Sequence, residues 1–162
     1  DRYDAGDRWV DLLAKQTGHA IINAGANGRE IPRGPYALHS LTEHAPVDIF
    51  LVILGTNDLL QGASAREAAA RMEAFLNHFL PYCRNVLLVA PPPMKRGAWV
   101  PTNELVTESI RLAEEYSLLA QKLNIPFVDT RHWNIDLTFD GVHFTEAGHH
   151  AFAENLGKEL CL

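Results

Sequence analysis

The sequence has 162 residues, of which 47% are apolar and 21% charged, with a formal charge of −6 at neutral pH. That is the composition of a folded chain rather than a disordered one, and the length suits one domain with a substantial core, residues 1–162. The negative balance and scattered basic residues argue against nucleic acid or an anionic membrane as the main partner, and no apolar stretch approaches the roughly 20 residues that span a bilayer.

In chain order, Asp7 is placed to cap a short helix carrying Trp9, Leu12 and Leu13 on one face, stopped by Gly18. Ala20 to Asn23 reads as a short strand that runs into the glycine-rich turn Asn23-Ala24-Gly25-Ala26-Asn27-Gly28. Pro32 and Pro35 keep the next stretch irregular, and Leu38 and Leu41 suggest a short helix that Pro46 closes. Val47 to Leu54 is an almost unbroken apolar run rich in β-branched residues. A strand half-exposed to water would alternate, so this one is expected to be buried on both faces of a parallel sheet. It breaks into Gly55-Thr56-Asn57-Asp58.

Ser64 and Glu67 have the spacing of a capping box, opening a helix with Ala68, Met72, Phe75, Leu76 and Phe79 inward. A strand over Val86 to Ala90 leads into Pro91-Pro92-Pro93 and a loop through Trp99 and Pro101. A long helix is predicted over Glu104 to Leu123, then a last strand over Pro126 to Asp129. The loop Thr130 to Phe144 precedes a C-terminal helix with Ala151, Phe152, Leu156 and Leu160 inward. Strands alternating with helices imply an α/β sandwich with right-handed parallel crossovers.

Three loops beyond strand ends carry residues suited to chemistry. In open α/β sheets, ligands bind at the carboxyl ends of the strands. The tetrapeptide at 55–58 fits two roles equally well, an Asn57 amide aimed at a substrate oxygen or a plain helix-capping turn. In Asp140-Gly141-Val142-His143 the carboxylate can fold back onto the imidazole Nδ1–H, leaving Nε2 to take a proton; a turn-forming Asp beside a loop His is the alternative. Together with the Gly28 backbone N–H, these residues have the makings of an oxyanion hole and a base with its orienter. Absent from this set is a nucleophile, since Ser40, Ser64, Ser109 and Ser117 all fall in predicted helices or at a cap.

These blocks resemble the SGNH, or GDSL-type, serine hydrolases, and most of all the small bacterial arylesterases and acyltransferases. The second family block corresponds to residues 23–29, the third to 55–58 and the fifth to 140–143, continuing through Phe144-Thr145-Glu146-Ala147. Arg8-Trp9, Ala90-Pro91-Pro92-Pro93 and Pro126-Phe127-Val128-Asp129 are similar as well, so the likeness runs over most of the chain. The resemblance implies a three-layer sandwich built on a flavodoxin-like parallel sheet. It also implies Gly28 and Asn57 as oxyanion donors, His143 as base and Asp140 as its orienter. No cofactor is implied.

The family's first block, a strand ending in Gly-Asp-Ser, has no counterpart in the sequence. In the family's sheet that strand is interior, between those expected at Ala20 and Val47. Deleting it would leave two rows of buried backbone groups unpaired, at on the order of 1–3 kcal/mol each, against a total stability of about 5–15 kcal/mol. The nucleophilic serine is therefore expected upstream of Asp1. The resulting expectation is a serine esterase acting on small, short-chain acyl esters by an acyl-enzyme route, with hydrolysis or transfer as outcomes. Two alternatives stand beside it. One is a non-catalytic binding module of the same fold. The other is a metal-dependent hydrolase built on His132, Asp136, Asp140, His149 and His150, whose spacing matches no ligand motif. Trp99 suits either the wall of an acyl or alcohol pocket or plain packing, and Asp58 a brace for its turn. Cys83 and Cys161 read as free thiols of a reducing compartment, with a single disulfide as the alternative. No signal peptide is visible, and the oligomeric state is not legible.

Overall fold

The computed structural model describes residues 6–33, 43–44, 46–83 and 85–160. Among the described residues eight elements follow one another: α1 (Trp9–Thr17), β1 (Phe50–Val52), α2 (Thr56–Leu60), α3 (Ala65–Phe79), β2 (Val86–Val89), α4 (Asn103–Leu123), β3 (Phe127–Val128) and α5 (Glu146–Glu159). The three strands pair in the order β1-β2-β3, all parallel, with Phe50 opposite Val86 and Leu88 opposite Phe127.

Successive strand residues face opposite sides, and each side has its own helices. Val52, Val86 and Leu88 point into a cluster with Met72, Phe75 and Phe79 of α3 and Leu112, Tyr116 and Leu119 of α4. Leu87, Val89 and Val128 point the other way, against Leu13 of α1 and Phe152 and Leu156 of α5. This is the expected three-layer sandwich around a parallel sheet. The run at 47–54 obeys the rule beyond its ladder, because Phe50 and Leu54 join the first cluster while Leu51 and Ile53 join the second. No described helix is long and apolar enough to cross a membrane.

The local signals around α3 hold in detail. Ser64 Oγ accepts the Glu67 N–H and the Glu67 carboxylate accepts the Ser64 N–H, a complete capping box. The stripe Ala68, Met72, Phe75, Leu76 and Phe79 is buried. Gly18 ends α1 in the left-handed conformation, and α4 begins within a residue of its predicted start, with the Thr102 hydroxyl as cap.

Three expectations need correction. Residues 18–26 carry no regular secondary structure, so Ala20 to Asn23 is not a strand. A strand exists only beside a backbone that takes up its hydrogen bonds, and among the described residues none flanks this stretch; Ile22 is exposed. The N-cap of α1 is Arg8 rather than Asp7; the Arg8 side chain makes no capping bond, and its guanidinium donates to Asp11. The ladder of β1 is three residues long rather than eight, since it pairs with β2 alone among the described strands. The helix expected around Leu38 and Leu41 lies outside the described residues, as do Ser40 and Cys161. Cys83 is a buried free thiol.

Candidate active site

The loop between β3 and α5 closes on itself. Leu137 and Phe144 form an antiparallel bridge, Thr138 N–H donates to the His143 carbonyl at 2.8 Å, and Gly141 N–H donates to the Thr138 carbonyl at 3.0 Å. Asp140 is thereby turned inward and is fully buried. Its Oδ1 accepts the backbone N–H groups of Val142 and His143 at 2.9 and 3.0 Å, and its Oδ2 meets His143 Nδ1 at 2.8 Å. Burial alone would push this carboxyl up. The N–H groups of His143 and Val142, the Thr138 hydroxyl and the His143 ring outweigh it and hold Asp140 well below the usual carboxylate range. The aspartate stays ionised, and an ionised partner makes Nδ1 the protonated nitrogen. Nε2 is then the basic nitrogen of a side chain that is 44% exposed.

A second loop clamps the first through main chain alone. Lys95 N–H donates to the Gly141 carbonyl, Ala98 N–H to that of Phe139 and Trp99 N–H to that of Asp140, each at 3.0 Å. Glycine is required at the contact, because Gly141 has φ +82° and a Cβ there would lie 2.0 Å from the Lys95 carbonyl oxygen. The Trp99 ring, 51% exposed, stands edge-on to the His143 ring with centroids 5.0 Å apart. Of the two roles open to Trp99, this placement favours a wall beside the imidazole.

The glycine-rich turn and the tetrapeptide after β1 meet directly. Asn57 Nδ2 donates to the Arg29 carbonyl at 3.0 Å, one residue beyond Gly28, which has φ +68°. Asp58 is fully buried and braces the turn as expected, its Oδ2 accepting the Ile31 N–H and its Oδ1 the Arg71 guanidinium, both at 2.9 Å. Gly55 turns the chain at φ +126°, and a Cβ there would lie 2.7 Å from the Tyr116 hydroxyl. That hydroxyl donates to the Leu54 carbonyl at 2.9 Å. Sequence reasoning missed the hold of Tyr116 on this turn, as it missed Arg71; a phenol between the aliphatic residues Leu112 and Leu119 of α4 was the available signal.

Several of the other candidates are engaged elsewhere. Ser64 belongs to its capping box, and the Ser109 hydroxyl lies between Met94 N–H and the Val106 carbonyl. Ser117 lies within α4. His149 Nδ1 accepts the Trp9 N–H at 3.2 Å, and Asp136 takes the Thr145 hydroxyl. Among the described residues no three His, Cys, Asp or Glu side chains converge to hold a metal ion.

The chain matches the GDSL-like lipase/acylhydrolase family over residues 1–151. It belongs to that family. Among solved structures it is similar to the aryl esterase of M. smegmatis, with 25% identity and a TM-score of 0.85, over 99% of this chain and 87% of the other. It is also similar to a carbohydrate acetylesterase family member from Sinorhizobium meliloti, with 25% identity and a TM-score of 0.82, over 99% and 88%. No curated protein sequence matches it significantly. Fold and family are those of a carboxylic ester hydrolase.

Proposed function

We propose that this GDSL-family chain carries the base, its orienter and two oxyanion donors of a serine esterase acting on short-chain acyl esters. The nucleophilic serine would come from a segment preceding Asp1. The observation that carries the reading is the Asp140–His143 pair, a buried ionised carboxylate on Nδ1 of an accessible imidazole. In the reaction, His143 Nε2 takes the serine proton as the serine oxygen attacks the ester carbonyl, whose π electrons move onto oxygen. Gly28 N–H and the Asn57 amide donate to that oxyanion, together with the serine N–H. Collapse expels the alcohol, which receives the proton from the imidazolium. Water, or a second alcohol in the transfer variant, repeats the sequence on the acyl-enzyme and frees the serine. A short acyl chain is supported by the acetylesterase name of one similar structure.

A second reading has its own support. Among the described serines, Ser64 and Ser109 are engaged in other hydrogen bonds and Ser117 lies within α4, as in a module of this fold that binds without turnover. The complete gene product separates the two on 4-nitrophenyl acetate. The esterase hydrolyses it, is unaffected by chelator, and is inactivated by one equivalent of an organophosphate on one serine. His143→Ala removes most turnover while the fold survives. Activity that dies with chelator, or none above a denatured control, overturns the serine mechanism.

A further inference from the structure

We infer that Asp58 is a positioning residue that fixes the two oxyanion donors relative to one another; this rests on the esterase reading. Gly28 lies in a turn and Asn57 in the first turn of α2, and an oxyanion hole works only if its donors are held to a fraction of an ångström before charge develops. Two bonds supply that hold. Asn57 takes the Arg29 carbonyl and Asp58, its neighbour on α2, takes the Ile31 N–H, so the segment just after Gly28 is gripped at both ends. An amide nitrogen has two hydrogens. With one committed to Arg29, the plane of the Asn57 amide is set and the other remains for substrate.

Asp58 bears the grip because it is itself immobilised. It has no exposed surface, and its second oxygen is held by Arg71 from α3. Ile31, whose N–H it holds, is anchored by a side chain in the sheet–helix core. Arg71 also stands 3.6 Å from the Glu30 carboxylate, in the same gripped segment. The arrangement therefore ties the core, α2, α3 and the glycine-rich turn to one carboxylate. Nothing in it needs Asp58 to touch substrate.

The test compares Asp58→Ala and Asp58→Asn in the complete enzyme, with kcat and KM on a soluble acetate ester and affinity for a boronic acid whose serine adduct places an oxygen in the oxyanion hole. Misplacing a catalytic group by about 1 Å costs up to about 100-fold. Asp58→Ala should therefore lose about 30–100-fold in kcat with KM within about threefold, and boronate affinity should fall in parallel. Asp58→Asn keeps an acceptor for the Ile31 N–H and lets Arg71 move to Glu30, so it should recover most of this, losing about 5–10-fold. In an Asn57→Ala background both losses should shrink, because the donor being positioned is gone. If Asp58→Ala does not fold, Asp58→Asn decides alone. A folded variant with kcat and boronate affinity within twofold of wild type overturns the inference, as does an equal loss in the Asn57→Ala background. The parent reading fails separately, through an Asn57→Ala enzyme of normal kcat.

Discussion

Asp140 holds His143 at two points, the ring Nδ1 through Oδ2 and the main-chain N–H through Oδ1. One carboxylate thus sets both where the residue sits and which way its ring faces. The two functions are separable by mutation. Asp140→Asn keeps an oxygen for the N–H groups of Val142 and His143, but turns an amide NH₂ toward Nδ1. The imidazole must then accept at Nδ1 and carry its proton on Nε2, the wrong tautomer for a base. The expected result is a folded enzyme with kcat down by about 10⁴-fold. A loss under tenfold would mean that the ring is oriented by other groups.

For Asn57 the expected signature is kinetic. Asn57→Ala should lower kcat by about 10²–10³-fold, or about 2.7–4 kcal/mol, with little change in KM, because the donor acts on charge that develops in the transition state. Steady-state kinetics on a soluble acetate ester are sufficient. Normal turnover would return Asn57 to a turn-forming role.

The main-chain clamp between residues 95–99 and 139–141 predicts an intolerant glycine. Gly141→Ala combines φ +82° with a collision at the Lys95 carbonyl. It should cost about 2 kcal/mol or more, lowering Tm by about 4–8 °C in a protein of this size. Gly62→Ala is the control, with φ +95° but nothing within 4 Å of its Cβ. Calorimetry should show Gly62→Ala losing the smaller amount, and equal losses would mean that backbone strain alone is responsible.

His149 predicts a pH dependence of stability. Its Nδ1 accepts the Trp9 N–H at the start of α1. Burial lowers its pKa from the ordinary histidine value, with the charges of His150 and Arg8 acting the same way. The unfolded chain therefore binds the extra proton first, so stability rises with pH across this window and is lost as pH falls from about 6.5 through the lower folded value. His149→Gln, an acceptor that does not titrate, should flatten the urea midpoint against pH between about 5 and 7. An unchanged slope would assign the dependence to another group.

What the sequence made legible was local or periodic. The capping box of Ser64 and Glu67 spans three residues, and the Ala68-to-Phe79 stripe repeats at the helical period. Asp140 and His143 lie three apart on one tight loop, so their contact could be expected before any fold was known. What it hid was non-local. Arg71 reaches Asp58 across 13 positions and Tyr116 reaches Leu54 across 62, and neither spacing carries a pattern. Ala20 to Asn23 failed for the same reason, since strand character there depends on a neighbouring backbone that no reading of four residues supplies.

Trp99 is joined to Asp140 through its main-chain N–H, while its indole stands free of that bond and beside the imidazole. Bond and ring are separate inheritances. Any residue other than proline at position 99 preserves the N–H, so this wall can be rebuilt in size or polarity without loosening the Asp140–His143 pair.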